Sequence, residues 1–494
     1  MMGVSFSVSP GEFVSIVGPS GCGKSTSLSL IAGLEQPSAG EVLIDGAPVR
    51  RPDGTVGYML QHDHLFEWRD VLENLMIGPE VMGLPRQPAK ELARDLMNRY
   101  GLAGFEHHHP SELSGGMRQR VALIRTLVTQ PDVVLLDEPF SALDFQTRLS
   151  VRDEVAMILR AERKTAILVT HDIPEAIAMS NRVIALSGRP GRVRSEYTIT
   201  WAAGEVRPLD AHEQPEPSVV AISTDITTAN ASAITPERLE YLKSRRRQSL
   251  IVGGARFGLA LLMLAIWEVT SRQGWVDPLL ISRPSTVMST LTDLAASGEL
   301  WRHTSVTLRE TIIGFIVGMV AGIVIATGLW WSPTVGRILE PFLVVANALP
   351  KIALGPILYV WLGPSKSVYG MAIAVSIVVT ILMVYEGFRA VDPSKVKLLR
   401  TFGASRWKVL RFVVFPGSLP ALMATAKISI GLTLVGVIVG EFLSSTAGLG
   451  YLILYGSQVF QMDLVMASIV MLLVISTVMY VLAEWCERKL LRRR

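Results

Sequence analysis

The sequence predicts two fold classes in one chain: an α/β domain built on a buried parallel sheet, followed by an all-α polytopic membrane domain of about six spanning helices. Three observations carry this reading. A glycine-rich run, Gly18-Pro19-Ser20-Gly21-Cys22-Gly23-Lys24-Ser25-Thr26, lies between an apolar strand and an apolar helix. A second apolar strand, Val133 to Leu136, ends in the acidic pair Asp137-Glu138. From about Leu250 onward, long charge-free runs replace the mixed composition of residues 1–200, and the 494 residues have a mean hydropathy of +0.38. That length exceeds one ordinary hydrophobic core, so the change in composition marks a domain boundary.

The formal charge of +4 is small, and its basic excess lies in clusters such as Arg245–Arg247 and Arg492–Arg494. Beside apolar runs these fit membrane topology better than nucleic-acid binding. With only Cys22 and Cys486 present, a disulfide framework is excluded, which suits a soluble part in a reducing cytoplasm. Met1 to Pro10 has neither the basic start nor the apolar core of a signal peptide.

The first strand, Phe13 to Val17, feeds the run Gly18–Thr26, which has the form G-x-x-x-x-G-K-[ST] in a strand–loop–helix setting. Its glycines let backbone N–H groups turn toward phosphate oxygens, and the helix N-terminus adds a favourable dipole. Lys24 is placed to reach the β- and γ-phosphates, and the Ser25 hydroxyl to bind Mg²⁺. Asp137 stands at a strand end, where α/β sheets place ligands, and can hold Mg²⁺ directly or through water. Glu138 beside it is suited to orient or deprotonate an attacking water. Loop and acidic pair together point to a nucleotide triphosphatase.

The stretch LSGGMRQR, Leu113 to Arg120, narrows that class. It resembles the LSGGQ signature of ATP-binding cassette (ABC) proteins, with Met117 at the glutamine position. The resemblance implies that Ser114, Gly115 and Gly116 contact ATP held by an opposite subunit, so that one cassette per chain calls for a second copy or a related half. It further implies that Gln61, in YMLQ, touches Mg²⁺ and water and senses the membrane domain. Ser141–Asp144 resembles the loop that communicates across the dimer, and His171, in LVTHD, the histidine that contacts the γ-phosphate. His107–His109 is read as a solvated loop, because three adjacent side chains do not easily converge on one ion.

The cassette is expected over 1–200 and a linker rich in Pro, Ser and Thr over 201–247, with helix resuming near Thr235-Pro236. The permease domain follows over 248–494. Its apolar segments lie at about 251–270, 309–331, 341–362, 367–387, 421–444 and 464–485, the first carrying Arg256 and the third interrupted by Pro350 and Pro356. Trp330 and Trp331 read as interfacial anchors. Basic residues concentrate on the side holding both termini, which the positive-inside rule places in the cytoplasm with the cassette.

On that side VKLLRTFGASRWKVLRFVVFPGSLP resembles the EAA loop of bacterial importer permeases. Gly403, Val413 and Pro416 match its spacing, while Lys397, Leu398 and Leu399 replace Glu-Ala-Ala. Two short helices are expected here, at about 393–420, presenting Val396, Leu399 and Phe402 to a groove. The strings ALPKIALGPILYVWLG, GEFLSSTAGLGYLI and DIPEAIAMSNRVIALSGRPGRV resemble the nitrate/sulfonate/taurine (NitT/TauT) branch. This implies a type I importer of the bacterial inner membrane, needing ATP, Mg²⁺, the lipid bilayer and an extracytoplasmic binding protein, and no nucleic acid. The solute would be small, such as a sulfonate, taurine, nitrate, bicarbonate or a thiamine precursor. An exporter or flippase half is the rival reading, disfavoured by the domain order and by the loop; an impaired cassette is another. Lys351 and Glu441 are the membrane-region ionisable residues of interest, either on the pathway or snorkelling from a helix end. Finally, cassettes of this family carry an earlier strand and an adenine-stacking aromatic before the first strand seen here, so a start upstream of Met1 is expected.

Overall fold

The computed structural model describes residues 2–200 and 282–491 and, with interruptions, 251–275. The expected linker lies outside the described residues, as do the arginine clusters and four positions of the first apolar segment. The chain divides into two compact units. One joins the N-terminal region to Val391–Gly417; the other holds the remaining helices.

In the first unit a six-stranded sheet has the order β4-β5-β6-β1-β7-β8. β1 (Phe13–Val17), β4 (Val56–Met59), β5 (Val133–Asp137), β6 (Thr165–Thr170) and β7 (Arg182–Leu186) are parallel, and β8 (Val193–Thr198) closes the edge antiparallel. β1 is central and almost wholly buried, as its mostly apolar run suits a strand covered on both faces, and the one polar side chain in it, Ser15, pairs with Ser180. β2 (Leu43–Ile44) and β3 (Ala47–Pro48) form a hairpin whose Asp45-Gly46 turn has positive φ at both residues, a type I′ geometry. α1 (Lys24–Ile31) follows β1. The short α2 (Val71–Leu75) and α3 (Ile77–Met82), with α4 (Arg86–Arg99), pack with α5 (Gly115–Leu127) over a core that includes Leu72, Leu96, Val121 and Leu127. α6 (Phe145–Ala161) and α7 (Ile173–Met179) start at Asp144 and Asp172, each accepting a backbone N–H as a cap.

Val391–Gly417 belongs to this unit. It folds as helix Pro393–Thr401, a turn at Gly403 (φ 74), then helix Arg406–Val409 running through a π-helical stretch, Leu410–Val414. Leu398, Leu399 and Phe402 are buried, whereas Val396 is only half-buried. The expected face is therefore corrected at one residue: Leu398 takes the place of Val396, and with Leu399 and the C-cap Phe402 it forms the buried stripe.

In the second unit, four continuous helices are long and apolar enough to cross a membrane: Glu299–Trp331, Pro364–Arg389, Leu419–Ser444 and Met462–Leu490. The segment expected at 341–362 is not a straight span. Helix Pro333–Ala348 and the pair Lys351–Leu362 meet at an angle of 89°, giving at most five spans among the described residues. Pro350 causes the break: it has no N–H to donate and holds Leu349 in extended backbone (φ −64, ψ 138).

Small residues bring the helices together. Added Cβ atoms at Gly314, Gly318 and Gly322 would lie 2.8 Å from Ala372 Cβ, 3.1 Å from Ser376 Oγ and 2.5 Å from Thr380 Cγ2. Without a hydrophobic driving force between helices in lipid, such close approach supplies the packing. Glu441 is fully buried rather than snorkelling. It accepts from Thr307 Oγ1 at 2.7 Å and from the Gly450 N–H, while Gly448 N–H donates to His303 Nδ1 at 2.9 Å. This clamp ties the Gly448–Gly450 turn to helix Glu299–Trp331. Lys351 instead donates to the carbonyl and side-chain oxygens of Asn347, both at 3.1 Å, at the end of the preceding helix.

Candidate functional site

The glycine-rich loop leaves β1 and turns into α1 through Gly21 (φ 78) and Gly23 (φ 107), conformations that only glycine adopts without strain. Pro19, Ser20, Gly21, Ser25 and Thr26 are exposed, while Cys22 is packed beneath. The Lys24 ammonium lies back along the loop, donating to Gly18 O at 2.7 Å and Pro19 O at 3.3 Å. A cation at the open end of a helix is a setting for a polyphosphate.

The neighbouring strands deliver the carboxylates. β4 and β5 pair with Tyr58 opposite Leu135 and Met59 opposite Leu136, so β4 ends beside Asp137. Asp137 accepts from Ser25 Oγ at 2.9 Å and from the buried Tyr58 hydroxyl at 3.0 Å. Burial pushes the Asp137 carboxyl up, and these two donors oppose that shift. Burial and the Asp137 charge raise the Tyr58 hydroxyl well above its ordinary range, keeping it a donor. Glu138 follows in the left-handed region (φ 45), and its carboxylate lies 3.3 Å from Gln61 Nε2 and 3.3 Å from His171 Nδ1. The structure thus brings Lys24, Ser25, Gln61, Asp137, Glu138 and His171 to one end of the sheet.

Ser114, Gly115 and Gly116 form a second locus. Ser114 caps α5, its Oγ accepting from Met117 N–H at 3.3 Å. An added Cβ at Gly116 would meet Val151 Cγ2 at 2.9 Å, so the α5–α6 approach requires a glycine there. The three residues line an open cavity of about 540 Å³ with His62, Asp63 and Ala142–Asp144, which none of Gly18–Thr26 lines. His107 and His109 are spent on Asp70 Oδ2 (3.0 Å) and Glu67 O (3.3 Å).

Several contributors carry no sequence signal. Arg125, buried in α5 and pushed down to about 10 by that burial, donates to Asp63 O at 2.6 Å and His64 O at 3.1 Å. It anchors the segment after Gln61 to the helix that begins at Ser114. Arg189 Nε donates to Gly21 O at 2.8 Å, bracing the phosphate loop from the β7–β8 turn.

The loop Val391–Gly417 meets the same unit through cations and rings. Lys395 lies over Trp68 (5.2 Å), Lys397 over Tyr58 (5.3 Å) and Arg69 over Phe412 (5.6 Å). Phe402 packs on Gly78 of α3, and Lys408 Nζ donates to Val81 O.

Residues 1–141 match the ABC transporter family, and residues 318–492 match the family described as binding-protein-dependent transport system inner membrane component. The chain is 47% identical over 212 residues to the uncharacterized ABC transporter ATP-binding protein YtlC of Bacillus subtilis, covering 43% of this chain and 82% of that one. It is 46% identical to the uncharacterized ABC transporter ATP-binding protein MJ0412 of Methanocaldococcus jannaschii, covering 39% and 72%. The taurine import ATP-binding protein TauB of Yersinia pestis is 42% identical over 198 residues, covering 40% and 78%. The relatives cover about two fifths of the chain and the permease family residues 318–492, so the chain belongs to the ABC transporters, with an ATP-hydrolysing cassette fused to a membrane permease domain in one polypeptide.

Proposed function

We propose that this chain is half of a NitT/TauT-type importer that moves a small solute across the bacterial cytoplasmic membrane, both termini being cytoplasmic. The solute class is a sulfonate, taurine, nitrate, bicarbonate or a thiamine precursor, with taurine the first to try given the likeness to TauB. The observation that carries the reading is the seating of Val391–Gly417 against β4 and α3 in one compact unit with the ATP site. A permease segment docked there has the position from which closure of two cassettes could be passed to the spans. We take 1–200 as cassette, 201–247 as linker and 248–494 as permease domain.

In this reading Gly18–Thr26 binds the triphosphate, and Lys24 neutralises charge on its β- and γ-phosphates. Ser25, Asp137 and Gln61 offer oxygen donors, the set a hard cation takes, and would hold Mg²⁺, which would supply charge neutralisation at the phosphates. Glu138 orients the attacking water and accepts its proton, held between Gln61 and His171. His171 contacts the γ-phosphate from the facing side. Ser114, Gly115 and Gly116 complete the ATP site of a second copy, and an extracytoplasmic binding protein delivers the solute.

The test is reconstitution of the full chain in lipid with its binding protein, screening taurine, other sulfonates, nitrate, bicarbonate and pyrimidines for stimulated ATP hydrolysis. One solute is expected to stimulate only when the binding protein is present. Full stimulation by solute without any binding protein would overturn the importer reading.

A further inference from the structure

The EAA-like loop departs from its pattern at Lys397, and that side chain is not idle. Its ammonium sits 5.3 Å from the ring centre of Tyr58. Tyr58 is fully buried in β4, and its hydroxyl donates to Asp137 Oδ2 at 3.0 Å, while Asp137 Oδ1 accepts from Ser25 Oγ at 2.9 Å. Four residues from four separate stretches of chain therefore form a continuous line from the loop through the end of β5 to Ser25. We propose that Lys397 is a positioning residue that acts through Tyr58 on Asp137, so that the seating of the loop sets how far the Asp137 carboxylate is available to a divalent cation. The inference rests on the reading of Asp137 and Ser25 as the Mg²⁺ donors and of Val391–Gly417 as the coupling loop.

A cation over the face of a phenol draws density from the ring and makes its O–H a stronger donor. With Lys397 seated, Tyr58 binds Asp137 more firmly, and the carboxylate has less to offer a metal. When the loop withdraws, the hydroxyl weakens as a donor and the carboxylate is freed. Burial makes Tyr58 a suitable carrier, because a ring in a close-packed interior cannot swing away from either neighbour. The sign of the effect is thus fixed: removing the charge at 397 tightens divalent binding. A direct field of Lys397 on the metal would act with the same sign, so the path must be separated from the field.

A double-mutant cycle separates them. The full chain in lipid nanodiscs is titrated with Mn²⁺ in the presence of a non-hydrolysable ATP analogue, and free Mn²⁺ is read from its electron paramagnetic resonance signal. Lys397→Gln is expected to tighten Mn²⁺ binding about three- to fivefold, Lys397→Arg to leave it at the parental value, and Lys397→Gln in a Tyr58→Phe background to change it by less than about 1.5-fold. Tyr58→Phe keeps the ring and its packing, so a loss of sensitivity there reports the hydroxyl and not a damaged core. An equal tightening in both backgrounds, or none in the parental one, overturns the relay while leaving the metal-site reading intact. Absence of Mn²⁺ binding by the parental chain overturns the metal-site reading and the relay with it.

Discussion

Glu138 occupies a backbone conformation (φ 45) that costs a non-glycine residue on the order of 1–3 kcal/mol. It is held there from both sides: its N–H donates to Val169 O at 2.8 Å, and its carbonyl accepts from Ser141 Oγ at 3.0 Å. The strain aims the carboxylate between Gln61 and His171. Glu138→Gln preserves shape and the bond to the backbone but removes the proton acceptor. Turnover should fall about 10²- to 10⁴-fold with ATP binding little changed, as read by steady-state hydrolysis and a fluorescent ATP analogue. Unchanged turnover would remove Glu138 from that role. Glu175 makes a different prediction. It is buried in α7, accepts from Thr170 Oγ1 at 2.8 Å, and is raised from 4.5 to about 7, chiefly by burial. The folded state therefore favours its neutral form. The associated stability is full below pH 4.5 and is lost as pH rises through 7, with an upper bound of about 3.5 kcal/mol at roughly 1.4 kcal/mol per pKa unit. Hydrogen exchange of the segment around β6 and α7 should accelerate between pH 4.5 and 8 beyond its intrinsic rate, and Glu175→Gln should flatten that dependence. Motif residues such as Lys24 and Asp137 were legible because their spacing is itself the signal. Tyr58, Arg125 and Glu175 were not, since what matters about each is a partner that only the folded sheet or helix brings near.

At the scale of elements, the charge-free runs announced the helices, and Pro350 announced the bend. Which face of each helix meets which neighbour was not readable from composition. Gly314, Gly318 and Gly322 of helix Glu299–Trp331 recur every four residues, yet glycine is common in membrane helices for several reasons. Their role emerges from the atoms opposite: Ala372, Ser376 and Thr380 on helix Pro364–Arg389. Gly322→Ala places a methyl 2.5 Å from Thr380 Cγ2 and should destabilise the unit by about 1–3 kcal/mol. Gly328 on the same helix faces nothing within 4 Å, so Gly328→Ala is the matched control and should be neutral or slightly favourable. The measurement is the temperature at which the detergent-solubilised chain leaves its monodisperse chromatographic peak. Equal effects at both positions would mean that helix propensity, not close approach, governs these sites. The two short helices of Val391–Gly417 and their turn at Gly403 follow from the sequence, but the burial of Leu398 in place of Val396 depends on what β4 and α3 offer opposite, which the spacing does not show.

At the scale of the whole molecule, the chain has one phosphate loop and one signature, and they serve different loci. Gly18–Thr26 lies with Asp137 and Glu138, whereas Ser114–Gly116 lines the cavity beside Ala142–Asp144. In the proposed reading such a cassette completes an ATP site by offering its signature to another copy, and two-fold pairing would make two equivalent sites. The sequence pointed to this by resemblance; the geometry adds that Gly18–Thr26 has no part in the signature's cavity. The consequence is a complementation that no single-chain site could show. Lys24→Ala removes the phosphate cation and Ser114→Arg blocks the signature cavity, so each chain alone should be inactive. In a mixed dimer one site joins both lesions, while the other combines the intact phosphate loop of one chain with the intact signature of its partner. Equal co-expression should therefore restore about a quarter of parental ATP hydrolysis, from one good site in the half of dimers that are mixed. Tandem tags isolating the mixed dimer should bring this to about half if the two sites work independently, and to near zero if they must fire together. Hydrolysis by either variant alone, at a rate near the parental one, would show that phosphate loop and signature do not share an ATP across two copies.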